Sequence, residues 1–201
     1  MFDLDEIVPR LYLSGVVPAV SPPTLEKHRI THVVSVMQDS PGVLPMVPTS
    51  PPKRKITSSS NSLPESCSST SPNCHSGSTR MRIPVADAPS SDLHSHFPRA
   101  VSFITSALAN DPDARILCHC YGGVSRSATI VVAYLMSTQK MSVDEALKFV
   151  RGKRQQVNPN VGFIAQLRRW EKDIEQRHIR KKRTLSASGS KSPTQSRRRK
   201  G

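Results

Sequence analysis

Apolar and polar positions change rhythm several times along the chain. Arg10–Gly15 (RLYLSG) alternates and stops at a glycine, which predicts a short strand. Ser21-Pro22-Pro23 opens a short helix through Arg29, with proline in the first turn where its missing N–H costs nothing. Ile30–Met37 (ITHVVSVM) is β-branched and apolar, as a buried strand is. From Ser40 to Thr79 the pattern collapses into serine, proline and threonine. Such a segment cannot bury enough apolar surface to offset the entropy of ordering it, so a disordered insertion is predicted over 40–79. It interrupts one domain rather than separating two, because the strands on either side need the same sheet. Loop-closure entropy grows only logarithmically, so a long excursion is tolerable.

Order resumes with Arg80–Val85 (RMRIPV), a strand, and Ser90–Ala109, a helix with Ser91 or Asp92 near its N-cap and Pro98 in its early turns. Ala114–Cys118 (ARILC) is a short apolar strand. Ser125–Gln139 is apolar nearly all round, which predicts a buried central helix. Ser142–Gly152 begins with the capping-box pair Ser142 and Glu145 and ends at a glycine. A last helix is expected from about Asn160 to His178, dissolving into a basic tail. Strands alternating with helices give an α/β fold, a central mostly parallel sheet flanked by helices on both faces. The expected organisation is one domain over 1–176 containing the insertion, and a disordered tail over 177–201.

Composition supports a folded part diluted by such segments. Hydrophobic residues are 36% of the 201, beside 17 prolines. No apolar run approaches the ~20 residues that span a bilayer, and the acidic start MFDLDEIVPR lacks a secretory pattern. Four cysteines, two of them in the serine-rich stretch, do not make a disulfide framework, so a reducing intracellular compartment is expected, cytoplasm or nucleus. Cys67, Cys74 and His75 lack a fourth partner at zinc spacing. Of the net charge of +14, residues 176–201 supply ten basic groups and no acidic ones. The clusters Arg180-Lys181-Lys182-Arg183 and Arg197-Arg198-Arg199-Lys200 fit an import receptor, nucleic acid or simply a solvated charge run. Ser-Pro pairs at Ser40, Ser50, Ser71 and Ser192 could serve proline-directed kinases.

The chemistry concentrates in His119-Cys120-Tyr121-Gly122-Gly123-Val124-Ser125-Arg126-Ser127, between a predicted buried strand and a predicted buried helix. A strand-to-helix turn aims backbone N–H groups and a helix N-terminus at one point, which makes an anion site. Gly122 and Gly123 allow close backbone approach. The same donors favour a thiolate at Cys120. Arg126 can fork two N–H bonds onto phosphate oxygens. Phosphoryl transfer needs chiefly positioning and charge neutralisation, so no cofactor or metal is called for if this loop supplies both.

Cys-x5-Arg preceded by His and followed by Ser, within HCYGGVSRSAT, resembles the signature of cysteine-dependent phosphatases, and the dual-specificity subgroup most of all. A bare Cys-x5-Arg recurs by chance around buried cysteines; the nine-residue run does not. The resemblance implies a phosphocysteine at Cys120, a phosphate cradle of Tyr121, Gly122, Gly123, Val124, Ser125 and Arg126, a Ser127 hydroxyl that assists thiolate departure, and a His119 that orients the loop. It also implies an aspartate acid on a loop after a strand. In RMRIPVADAPSSDL, Asp87 lies 33 positions before Cys120, with Asp92 as competitor and better read as a helix cap. Downstream, Val157-Asn158-Pro159-Asn160-Val161-Gly162-Phe163 also resembles the family; it is expected to pack the last helix rather than touch substrate. Arg154 matches the family's arginine, while Gln155 stands where proline is common.

Subtracting the insertion from 1–175 leaves 135 residues, the dual-specificity size, for which the resemblance implies a shallow pocket open to phosphoserine, phosphothreonine and phosphotyrosine on phosphoprotein substrates. Lipid phosphatases of the superfamily place lysines in this loop and RNA triphosphatases an asparagine before the arginine; Tyr121–Ser125 carries neither. A phosphate-binding pseudoenzyme, and enzymes on RNA 5′ phosphates or phosphoinositides, are the alternatives. Cys118, on the same strand face as Cys120, could form a regulatory disulfide but reads more simply as a buried structural thiol.

Overall fold

The computed structural model describes residues 3–38 and 78–188, with side chains as far as 180 and at 182. Of the five strands among the described residues, four run parallel. In sheet order they are β1 (Asp5–Val8), β2 (Leu11–Ser14), β5 (Ile116–His119), β3 (His32–Val36) and β4 (Thr79–Ile83). β1 is antiparallel to β2; the other neighbours pair in parallel, with Ser14 and Ser35 flanking His119 at the end of β5. The central strand therefore delivers its C-terminus to the edge where α/β sheets bind ligands. This is the expected α/β class.

Helices cover both faces. α1 (Val16–Ala19) and α2 (Pro22–Lys27) lie over a small cluster of Leu4, Tyr12, Ala19 and Leu117. On the other face α3 (Phe97–Asn110), α4 (Arg126–Gln139), α5 (Val143–Lys153) and α6 (Val161–Ser188) build the main core. α4 is buried from Ser127 to Met136, as an all-round apolar helix must be. The Ser142 capping box forms with both bonds in place, worth about 1 kcal/mol. Trp170 of α6 is buried against α4, its Nε1 donating to Ala133 O at 3.3 Å and Ser137 Oγ at 3.1 Å, with the Arg177 guanidinium 4.3 Å from its ring centroid.

Several elements depart from the sequence reading. α3 begins at Phe97, not near Ser90, because Pro98 has no N–H to give and belongs in a first turn. A 3-10 turn, His94–His96, precedes it, and Asp92 Oδ1 accepts from Ser95 N at 3.2 Å. α6 runs to Ser188 rather than ending near His178 in a disordered tail. No glycine or proline occurs between Gly162 and Gly189, and arginine and lysine are good helix formers, so the first basic cluster rides on the helix. β1 and α1, four residues each, gave no periodic signal. The insertion up to residue 77, with Cys67, Cys74, His75 and its Ser-Pro pairs, lies outside the described residues, as does the chain beyond 188. No described helix is long and apolar enough to cross a membrane.

Candidate active site

β5 ends at His119 and α4 begins at Arg126, so six residues must turn a strand into a helix. Four consecutive carbonyls of this loop are held from outside. Val16 N donates to Tyr121 O at 2.9 Å, Arg154 Nη2 to Gly122 O at 3.2 Å, Arg154 Nε to Gly123 O at 3.0 Å and Asn158 N to Val124 O at 2.9 Å. In a planar trans peptide the N–H points opposite to the carbonyl, so amides 122 to 125 are turned towards the interior of the loop. Gly123 N accordingly donates to Cys120 Sγ at 3.2 Å. Gly123 sits at φ 66°, and a Cβ there would lie 2.4 Å from Ser14 backbone atoms, so no other residue fits. With the N-terminus of α4 at the same point, the loop is an anion cradle.

Ser127 Oγ donates to Cys120 Sγ at 3.1 Å, and both residues are buried. Arg126 is largely covered; its Nη1 donates to Val85 O at 3.3 Å and its Nε lies 3.5 Å from Asp87 Oδ2, close enough for attraction though not aligned as a hydrogen bond. Asp87 Oδ1 accepts from Ser125 Oγ at 2.8 Å and from Asn160 Nδ2 at 2.9 Å. Cys120, Arg126, Asp87, Ser125 and Ser127 thus form one constellation. Asp92 is not part of it and serves the turn before α3. Tyr121 is 72% exposed at the rim, with Gly122 exposed beside it and Val124 half-buried.

His119 is buried beside the loop, with Nε2 2.6 Å from Ser35 Oγ. Burial pushes its pKa down to about 4, the Cys120 backbone opposing in part and the Arg80 charge adding to the fall. Its Nδ1 meets no partner at hydrogen-bond geometry among the described residues. Cys118 and Cys120 are both free thiols, and burial pushes Cys118 up to about 12, which fits an inert structural cysteine.

Asn160, Gly162 and Arg154 hold more of this site than their sequence signal announces. Asn160 contacts the site directly through Asp87, and its backbone N donates to Ser125 Oγ at 3.3 Å. A Cβ on Gly162 would lie 2.0 Å from Pro89 O, so the start of α6 presses against the loop carrying Asp87. Arg154 also binds the Asp5 carboxylate, tying the loop to β1.

Comparison with known proteins agrees with this geometry. Dual specificity protein phosphatase 5 of Rattus norvegicus is 41% identical over 92 residues, 46% of this chain and 23% of its own length. The chain therefore spans about a quarter of that relative. Dual specificity protein phosphatase 22 of Homo sapiens is 31% identical over 169 residues, covering 84% of this chain and 74% of its own. Among solved structures, the human tyrosine phosphatase-like serine/threonine/tyrosine-interacting protein superposes with a TM-score of 0.65 at 27% identity, over 85% of this chain and 97% of that one. Residues 11–173 match the family model of the dual specificity phosphatase catalytic domain, and the chain belongs to that family.

Proposed function

We propose that the chain is a cysteine-dependent protein phosphatase that hydrolyses phosphoserine, phosphothreonine and phosphotyrosine through a phosphocysteine. The observation that supports this best is the pair of donors, Gly123 N and Ser127 Oγ, on a buried Cys120 Sγ at the floor of an anion cradle. In the first step Sγ attacks phosphorus in line as the bond to the leaving oxygen breaks. The loop amides and the Arg126 fork hold the three equatorial oxygens, and Asp87 gives its proton to the leaving group. In the second step a water gives a proton to Asp87 while its oxygen bonds to phosphorus. The sulfur–phosphorus bond breaks, and the Ser127 hydroxyl stabilises the departing thiolate. His119, held by Ser35 and neutral at physiological pH, orients the loop and transfers no proton in the reaction. No lysine lies in Tyr121–Ser125 to meet the extra phosphates of an inositol lipid.

Phosphate release from an aryl phosphate in the presence of chelator tests the reading. Turnover that resists chelation and vanishes with Cys120→Ser is expected. A panel of phosphopeptides, 5′-triphosphorylated RNA and phosphoinositides then separates the substrate classes. Phosphopeptide binding without turnover by the wild type would support a binding module instead. The basic residues from Lys181 onward suit an import receptor or nucleic acid, so their replacement should shift the nuclear fraction or nucleic-acid retention without altering turnover of an aryl phosphate.

A further inference from the structure

Five large apolar side chains stand out in solvent among the described residues, and three of them belong to the mouth of the cradle. Val17 is 56% exposed, Tyr121 72% and Val161 75%. They lie on opposite sides of Cys120, because β2 and β4 flank β5 on opposite sides in the sheet. Val17 is in α1, which follows β2, and its neighbour Val16 donates through N to Tyr121 O at 2.9 Å. Val161 opens α6 next to Asn160, whose Nδ2 reaches Asp87 in the loop after β4. Tyr121 is firmly seated: a Cβ on Gly15 would come within 3.0 Å of its carbonyl oxygen, so the backbone under the exposed ring is close-packed. The same mouth is poor in charge. Ser14–Val20 (SGVVPAV), Met37–Gln38, Pro84–Ser91 (PVADAPSS), Tyr121–Ser125 (YGGVS) and Gln155–Val161 (QQVNPNV) hold one charged side chain between them, Asp87. Arg126 serves the phosphate. Arg154 has its guanidinium on Asp5, Gly122 O and Gly123 O, and its neighbour Lys153 lies in the last turn of α5.

From an apolar rim without free charge we infer that Tyr121, with Val17 beside it and Val161 across the mouth, determines substrate specificity. This surface favours phosphopeptides with bulky apolar residues next to the phosphorylated one over acidic or multiply phosphorylated peptides. The inference rests on the phosphatase reading and deepens it. A phosphorylated side chain that reaches Cys120 brings the residues on either side of it down onto the rim. An apolar neighbour then takes water off the Tyr121 ring and the two valines, a gain that scales with the area covered. Tyrosine has only two side-chain torsions to fix, so little ordering entropy opposes the contact. An acidic neighbour or a second phosphate would lose water against the same surface, and the cations at hand are already engaged. Its desolvation is not offset there. The contact lies away from the reacting atoms and is the same in the ground and transition states, so it acts on KM rather than on kcat.

The test is kcat/KM on peptides that carry one phosphotyrosine with leucine, serine or glutamate at both flanking positions, and on one with phosphoserine there. Apolar contacts in an enclosed pocket discriminate by about tenfold or more, and an open rim belongs at the low end of that range. The wild type should therefore prefer the leucine peptide to the serine peptide about tenfold, through KM, and should handle the glutamate and doubly phosphorylated peptides no better than the serine one. Tyr121→Ser should bring the leucine-to-serine ratio to within about twofold of unity. Val17→Ser and Val161→Ser should each lower it about two- to threefold, with turnover of phenyl phosphate, which has no flanking residues, within about twofold of wild type. A ratio unchanged in all three variants overturns the inference, as does a wild type that prefers the glutamate or the doubly phosphorylated peptide. Should Tyr121→Ser lose all turnover, an unchanged ratio in the two valine variants overturns it equally. A wild type that hydrolyses phenyl phosphate without any preference among the peptides sinks this inference alone. One that turns over no aryl phosphate removes the phosphatase reading first and this inference with it.

Discussion

The hydroxyl of Ser127 lies 3.1 Å from the sulfur of Cys120, and both residues are buried. A donor aimed at sulfur stabilises the thiolate more than the phosphorylated sulfur, so its effect falls on the step that breaks the sulfur–phosphorus bond. Ser127→Ala should slow steady-state turnover by roughly 10²-fold while leaving the first step much less affected. Rapid-quench kinetics on an aryl phosphate should then reveal a burst of phenol near one equivalent. A slow single phase without a burst would place Ser127 in the first step instead.

Asp87 and Asp92 are both loop aspartates, yet the structure separates their surroundings. Asp92→Ala removes the acceptor for Ser95 N and should cost about 1 kcal/mol in a urea melt with kcat/KM unchanged. That hydrogen bond also holds the Asp92 carboxyl below its ordinary value, so its stabilising contribution is present above the usual carboxylate range and fades as pH falls. Asp87→Asn should do the reverse, with little change in stability and a loss of activity that grows as the leaving group becomes poorer. Equal losses of activity in both variants would contradict the assignment.

Gly123 combines a left-handed φ with backbone atoms where a Cβ would go. Left-handed backbone alone costs about 1–2 kcal/mol for an L-residue, and the clash with Ser14 adds to that. Gly123→Ala should lower stability by more than ~2 kcal/mol and abolish turnover. Gly152→Ala is the control, since open space surrounds that glycine in α5, and it should stabilise slightly.

His119 makes stability depend on pH with a defined sign. Its folded pKa is about 4, against about 6.5 when exposed. Above pH ~6.5 it is neutral in both states and adds no slope. Between ~6.5 and ~4 the unfolded chain binds a proton that the native protein refuses, so stability falls as pH falls, by on the order of 3 kcal/mol in all. Below pH ~4 both states bind it and the loss levels off. His119→Asn should flatten this window in urea midpoints taken at pH 7 and 4.5. Parallel curves for the two proteins would rule the histidine out as the source.

The nucleophile loop was legible because it is local: nine adjacent residues, a preceding apolar strand and a following apolar helix. The same holds for β3, β5, α4 and the Ser142 cap, each of which announces itself by period or by a short motif. β1 escaped because four residues with one side on the core carry too little alternation to stand out. What could not be read were contacts that only the fold creates. Asn160 reaches Asp87 across 73 residues and Arg154 reaches Asp5 across 149, and nothing in either neighbourhood names the partner. The segment from Val157 to Phe163 was expected only to pack the last helix; packing it there is what brings Asn160 to Asp87. The extent of α6 was missed for another reason. A run of arginine and lysine looks like a solvated tail, yet each is a good helix former once a docked first half has met the cost of nucleation.

Trp170 is the molecule's single tryptophan, and it is seated on the same helix whose cap is Asn160. Ten residues of helix place the indole about 15 Å from Asn160, the partner of Asp87. Ultraviolet emission from this one chromophore therefore reads whether the rod that steadies Asp87 is docked. A label-free fluorescence titration would follow the loosening of α6 from Ala133 and Ser137, and the Asn160–Asp87 hydrogen bond should be lost along the same curve.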